Sequence, residues 1–215
     1  MTEKSPTLPP TSWAVLGLLS FGEELSGYDL KKWADSSLKF FYWSPSYSQI
    51  YSELKRLERA GYAVSRVELT ESTRGKRVYT ITGEGREVVT RWARDAPVEP
   101  PILKHGVMLR VWLGHLMEPE KLRGVIEQHR DYADKMRKLS AIDAEAAAEV
   151  SDWAYPEMVL RWSERHYESE RDLAQHMLND LDALAAQPRP QPTGGAYARF
   201  KKQAARTSGT RSRLK

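Results

Sequence analysis

SPSYSQIYSELKRLERAGY, residues Ser44–Tyr62, is the stretch on which the fold turns. Stepping about 100° per residue, as 3.6 residues per turn requires, brings Ile50, Leu54 and Leu57 within about 60° of one another. Tyr47 and Ala60 fall at the margins of this stripe, which marks an amphipathic helix with one buried face. The opposite arc carries Ser48, Gln49, Ser52, Lys55, Arg56 and Arg59, with Tyr51 at its border. Glu53 and Glu58 project to the flanks, so the outward arc holds no carboxylate. Short hydrogen-bonding groups come first and cations follow. That order suits duplex DNA, where small polar groups reach base edges and cations reach phosphates. An ordinary helix whose cations answer its own dipole has the same pattern, so the flanking sequence has to decide.

Upstream, Trp13–Ser20 is a short, nearly all-apolar helix, and residues 21–25 read as a turn. Ser26 and Asp29 have capping-box spacing and open a helix with Leu30, Trp33, Ala34 and Leu38 toward the core. Pro45 suits the first turn of the next helix. Downstream of Gly61 the period drops to two: Ala63, Ser65, Val67 and Leu69 alternate with Val64, Arg66 and Glu68. Residues 70–75 form a turn, and Lys76–Thr82 is a second strand rich in β-formers. Arg74, Lys76 and Arg77 sit at or near the hairpin tip. Thr82 then caps a helix to about Ala96 with Val88, Val89 and Trp92 as its stripe. Three helices followed by a basic hairpin is the order of a winged helix-turn-helix, whose third helix enters the major groove while the tip straddles phosphates.

Several of these motifs, in the same order and spacing, resemble the PadR-like transcriptional regulators. They are Leu16-Gly-Leu-Leu19, Ser26-Gly-Tyr-Asp-Leu30, Ser46-Tyr-Ser-Gln-Ile-Tyr51 leading into Leu54–Glu58 and Gly61, and Arg77–Thr82 with Gly85. The resemblance spans about residues 12–95. One departure is Ser52, where the family often has proline, and it leaves the helix intact. The resemblance implies a homodimeric repressor on a pseudo-palindromic operator in double-stranded DNA, released by a small ligand or another signal. It also implies an α-helical C-terminal dimerisation domain.

The second half of the chain supplies helices for that role. Val107, Met108, Val111, Trp112, Leu116 and Met117 stripe one helix from about Leu103. After Pro119, the spacing Leu122, Val125, His129, Tyr132, Met136, Leu139 alternates three and four, a heptad seam. Pro156 opens another helix with Val159, Trp162, His166, Leu173, Met177, Leu181 and Leu184 inward. The expected organisation is a disordered arm (1–11), a winged helix-turn-helix domain (12–96), a helical dimerisation domain (103–184) and a basic disordered tail (185–215).

Composition sets further bounds. Net charge is +4 over 215 residues, but residues 185–215 hold eight Lys or Arg and no acid, so the remaining chain stands at −4. The sequence pI near 9.2 therefore reflects the tail and is no signature of a DNA-binding domain. There is no cysteine, and no run approaches the length of a membrane span, which is compatible with the cytoplasm. Among the five histidines no pair has metal-site spacing beyond His166 and Glu170 at i, i+4, and no phosphate loop or nucleophile elbow occurs. Neither an enzyme, a cofactor nor a metal is expected.

The reading is a mainly α protein with a small β-hairpin that binds DNA. Ser48, Gln49 and Ser52 are base-edge candidates, and Tyr47 and Tyr51 reach phosphate through their hydroxyls. Lys55, Arg56, Arg74, Lys76 and Arg77 are phosphate clamps. Some PadR-like proteins resemble sensors that hold flat molecules between tryptophans. Trp112 and Trp162 are the candidates here for a small aromatic effector. The alternative is a winged-helix adaptor that binds proteins without specific DNA recognition.

Overall fold

The computed structural model describes residues 8–68, 75–98, 100–186 and the single positions 195, 199 and 202. Arg74, most of the expected basic tail and residues 1–7 of the expected arm lie outside the described residues. The chain divides into two compact units. One runs up to Ile102 and includes Lys135–Tyr167, and the other combines Leu103–Asp134 with the stretch from Glu168 onward.

In the first unit, α1 (Pro10–Leu19) starts on a proline, whose missing N–H costs nothing at a helix start. It buries Ser12, Trp13, Val15, Leu16, Leu18 and Leu19, so it is enclosed on most sides, as its composition demands. The capping box holds: Asp29 N–H donates to Ser26 Oγ and Ser26 N–H donates to Asp29 Oδ2, opening α2 (Gly27–Ser36). A 3-10 turn, Leu38–Phe40, follows. The helix in the opening stretch is α3 (Tyr47–Arg59), which buries Ile50, Leu54 and Leu57. Its cap is Ser46, so Pro45 precedes the helix instead of occupying its first turn.

Strands β2 (Ala63–Glu68) and β3 (Lys76–Ile81) pair antiparallel, with Ala63 opposite Ile81 and Glu68 opposite Lys76. A two-residue strand, β1 (Leu25–Ser26), pairs with the other edge of β3 and gives the order β1-β3-β2. This strand replaces part of the turn expected at residues 21–25, since two residues are too short to show a period. Thr82 caps α4 (Gly83–Asp95) by accepting from Gly85 N–H, and its hydroxyl donates to the Gly61 carbonyl. Gly85 is required there, because a Cβ would lie 2.1 Å from the Tyr62 carbonyl oxygen. Leu16, Leu19, Leu30, Leu54 and Leu57 meet in one core, each contributing roughly 1.5–3 kcal/mol by leaving water.

α6 (Pro119–Ala148) and α7 (Ala154–Ala185) supply residues to both units. In the first unit, Met136, Ala144, Ala147 and Leu160 pack with Phe40, whose carbonyl accepts from Tyr167 Oη at 3.1 Å. In the second, Leu122, Ile126, Ala174 and Leu178 form a core. α5 (Gly106–Trp112) is shorter than expected: it stops at Trp112, and Gly114–Leu116 is a 3-10 turn.

The buried line along α6 is Leu122, Ile126, Ala133, Met136, Ser140, Ala144 and Ala147. Apart from one two-turn step between Ile126 and Ala133 it keeps the three–four spacing, but Val125, Tyr132 and Leu139 of the expected seam are not among its buried residues. The face chosen within the chain is lined with small residues, which hydrophobicity underweights and which allow close helix packing. On α7, Trp162, His166, Leu173 and Leu184 are exposed within the chain, whereas Ser163, Ala174 and Leu178 are buried. Among the described residues no helix is long and apolar enough to cross a membrane.

Candidate nucleic-acid interface

The outer face of α3 carries the expected arc: Tyr47, Ser48, Gln49, Tyr51, Ser52, Lys55, Arg56 and Arg59 are all exposed. Glu53 does not reach its flank. It is only 8% exposed, accepts a bond from the fully buried Ser12 hydroxyl, and accepts another from Arg56 Nε at 3.0 Å. The carboxylate has thus been folded under the helix as an anchor to α1, which strengthens the acid-free character of the arc. Glu58 is half-buried and accepts from Ser65 Oγ at 2.5 Å.

Gln49 has a second duty. Its Oε1 accepts from Ser46 N–H at 2.8 Å while its own N–H donates to Ser46 Oγ, a complete capping box at the start of α3. The Ser-x-x-Gln spacing of residues 46–49 carries this signal, and the sequence reading missed it there. Gln49 therefore presents its amide from a fixed position. Ser48 Oγ lies 3.0 Å from Ser46 Oγ.

The two tyrosines differ in support. Tyr47 stacks on Tyr28 of α2, with centroids 6.3 Å apart, and Lys31 Nζ lies 5.9 Å above its ring. Tyr28 is itself exposed, so it joins the surface without having been singled out in the sequence. Tyr51 lies over Gly27, where a Cβ would come within 2.6 Å of the ring. The glycine at the start of α2 thus leaves room for that ring.

The wing cations are not equivalent. Lys76 Nζ is 2.9 Å from Asp29 Oδ2, the carboxylate that also caps α2. Burial pushes the Asp29 carboxyl up, but bonds from Ser26 and Lys76 and the Lys76 charge outweigh it, and the group sits below the ordinary aspartate range. Lys76 is raised in turn, chiefly by its bond to Asp29. Arg77 Nη1 donates to Ser65 Oγ at 3.1 Å, and Ser65 donates onward to Glu58, linking wing to reading helix. Lys55 is exposed on α3.

Two further features stand out. In the first unit, an apolar cavity of about 380 Å³ is bordered by Trp13, Phe21, Trp33, Trp92, Tyr155 and Leu160. Trp13 and Trp92 stack across 4.9 Å at 10°. Trp112 and Trp162 do not line it: Trp112 is 80% exposed and Trp162 is 53% exposed, its ring stacked on His166. In the second unit, Glu170 meets His105 and His129 instead of its helical neighbour His166.

Comparison with known proteins bears on this surface. Residues 15–91 match the model of the transcriptional regulator PadR-like family, and residues 103–182 match that of the virulence activator alpha C-term. The negative transcriptional regulator PadR of Bacillus subtilis is 38% identical over 101 residues, covering 46% of this chain and 54% of that protein. The N-terminal part of the chain, residues 15–91, thus carries a PadR-like domain. It spans about half the length of the curated relatives it matches, 54% and 43%. Among solved structures, Bacillus subtilis PadR in complex with operator DNA superposes with a TM-score of 0.65 at 26% identity, over 80% of this chain and 99% of that one. The same protein with p-coumaric acid superposes with a TM-score of 0.62 at 23% identity, over 82% and 99%. The winged-helix fold is thus shared with PadR-like proteins, mostly helical with a three-stranded antiparallel sheet.

Proposed function

We propose that this PadR-like protein is a homodimeric repressor that reads a pseudo-palindromic operator through α3 and its wing. The observation that carries the reading is the exposed, carboxylate-free arc from Ser48 to Arg59, from which Glu53 has been withdrawn into the core. Ser48, Gln49 and Ser52 contact base edges. Tyr47, Tyr51, Lys55, Arg56 and Arg77 hold phosphates, Lys76 joins them by exchanging Asp29 for phosphate, and Arg74 extends the wing contact. The operator complex of the Bacillus subtilis relative supports this role.

Dimerisation is supported by apolar side chains left exposed on the C-terminal helices: Leu109 and Trp112 on α5, Ile142 on α6, and Met158, Trp162 and Leu173 on α7. Two copies supply two reading helices, since one covers too few base pairs for useful specificity. The aromatic effector site is the cavity beside Trp13 and Trp92. It is large enough for a single-ring phenolic acid, the class represented by p-coumaric acid in the relative.

Selection of the protein on a random duplex library at physiological salt tests the reading. Enrichment of an inverted repeat supports it, and absence of binding by folded dimer points to an adaptor. Titration of the bound complex with p-coumarate then tests the effector role. Release that Trp13→Ala abolishes supports the cavity, and release that only Trp112→Ala or Trp162→Ala abolishes returns the site to those residues.

A further inference from the structure

His105 lies just before α5, His129 on α6 and Glu170 on α7, separated by 24 and 41 positions in the chain. In the second unit they converge. His105 Nε2 is 3.2 Å from Glu170 Oε2, and His129 Nε2 is 3.1 Å from the same oxygen. The imidazole rings meet edge to face with centroids 4.7 Å apart. All three side chains are largely shielded, between 14% and 22% exposed. The potential ligand atoms lie within 4.8 Å of one another.

We propose that His105, His129 and Glu170 form a binding site for a divalent transition ion of the zinc class. A tetrahedral ion with bonds of about 2.0–2.1 Å separates its ligands by roughly 3.3 Å, close to the two histidine–carboxylate distances here, while the two imidazole nitrogens lie within 4.8 Å. Two imidazoles and a carboxylate are the donor set such an ion takes when a fourth position stays open. His105 and His129 line an open cavity of about 430 Å³, which gives solvent and the ion a way in. Lys104 and Arg110 border the same cavity and favour an anionic fourth ligand such as hydroxide or chloride.

The site has a structural consequence. His105 Nδ1 accepts from Met108 N–H at 3.3 Å, as the cap of α5. That places the ring proton on Nε2. Coordination through Nε2 moves the proton to Nδ1, where it opposes the Met108 N–H, so the ion releases the cap. α5 carries the exposed Leu109 and Trp112, so ion binding acts on the start of a helix with an uncovered apolar side.

The test uses full-length protein without a histidine tag, titrated calorimetrically with zinc chloride in a non-coordinating buffer. One ion per chain is expected, with micromolar or tighter affinity. His129→Ala and Glu170→Ala should each weaken it by about a hundredfold or more, beyond the 10–100-fold typical of outer-shell changes. His176→Ala, an exposed histidine on α7, should leave it unchanged. In case a variant does not fold, imidazole 15N spectra of the unaltered protein are read with and without zinc. Nε2 shifts at His105 and His129, with a changed Met108 amide, support the site. No binding, or shifts confined to His115, His166 or His176, overturns it and leaves the cluster as a hydrogen-bonded brace.

Discussion

Removing Glu53 separates two effects that usually move together. Glu53→Ala deletes the acceptor of the buried Ser12 hydroxyl and the partner of Arg56. A hydrogen bond to a charged group contributes about 1.5–3 kcal/mol net, and a stranded buried hydroxyl costs a similar amount. The Arg56 side chain is 48% exposed, so its ion pair adds no more than about 1 kcal/mol. The expected loss is about 2–4 kcal/mol, most of it from the Ser12 side. At about 2–4 °C per kcal/mol for a chain of this length, Tm falls by roughly 5–15 °C. Glu53→Gln keeps an acceptor for Ser12 and should cost about 1 kcal/mol. Both variants free Arg56 for phosphate, so DNA affinity of the folded protein should equal or exceed that of the parent while stability falls. Urea unfolding and operator titration on the same samples measure the two effects. A cost below about 0.5 kcal/mol for the alanine variant, or loss of DNA affinity as large as that of Arg56→Ala, would refute the anchoring role.

Three other outcomes are expected. Arg77→Ala should weaken specific and random DNA alike and lower the salt slope by about one, whereas Gln49→Ala should relax sequence preference and also lose about 1 kcal/mol of cap stabilisation; equal losses on both kinds of DNA in both mutants would undo that division. Gly27→Ala places a Cβ within 2.6 Å of the Tyr51 ring, an exposed side chain that can swing away, so it should cost less than about 1 kcal/mol but reduce operator affinity as Tyr51 is displaced; an unchanged affinity would remove Tyr51 from the interface. Asp29 is depressed in the folded state, so its stabilisation is complete above the unfolded aspartate value of about 3.9 and drains as pH falls below it. The stability gap between parent and Asp29→Asn, followed by urea unfolding, should hold from pH 7 to 5 and begin to narrow only below about pH 4; a gap that already shrinks between pH 7 and 5 would contradict the pairing with Lys76.

Features set by neighbours in the chain were legible in advance. Ile50, Leu54 and Leu57 define a buried face by spacing alone, and Ser26 with Asp29 announces a cap, because helix geometry couples residues three and four apart. The alternation of residues 63–68 announced the hairpin for the same reason. The Ser46–Gln49 cap is equally local, since a serine and a glutamine three residues apart carry its signal.

What tertiary structure decided were the outcomes of competition between distant groups. Two faces of α6 share the three–four spacing, and only packing selected the one through Ile126, Ala133 and Ser140. Glu53 could have flanked the helix until Ser12 of α1 met it. Glu170 had a helical neighbour in His166, yet His105 and His129 claimed it from other segments. Trp13 and Trp92, far apart in sequence, came to stack beside the cavity. A sequence carries periodicity and capping chemistry within windows of a few residues. Which of several compatible partners a side chain takes depends on the three-dimensional closure of the whole core, where burial and hydrogen-bond satisfaction are decided together.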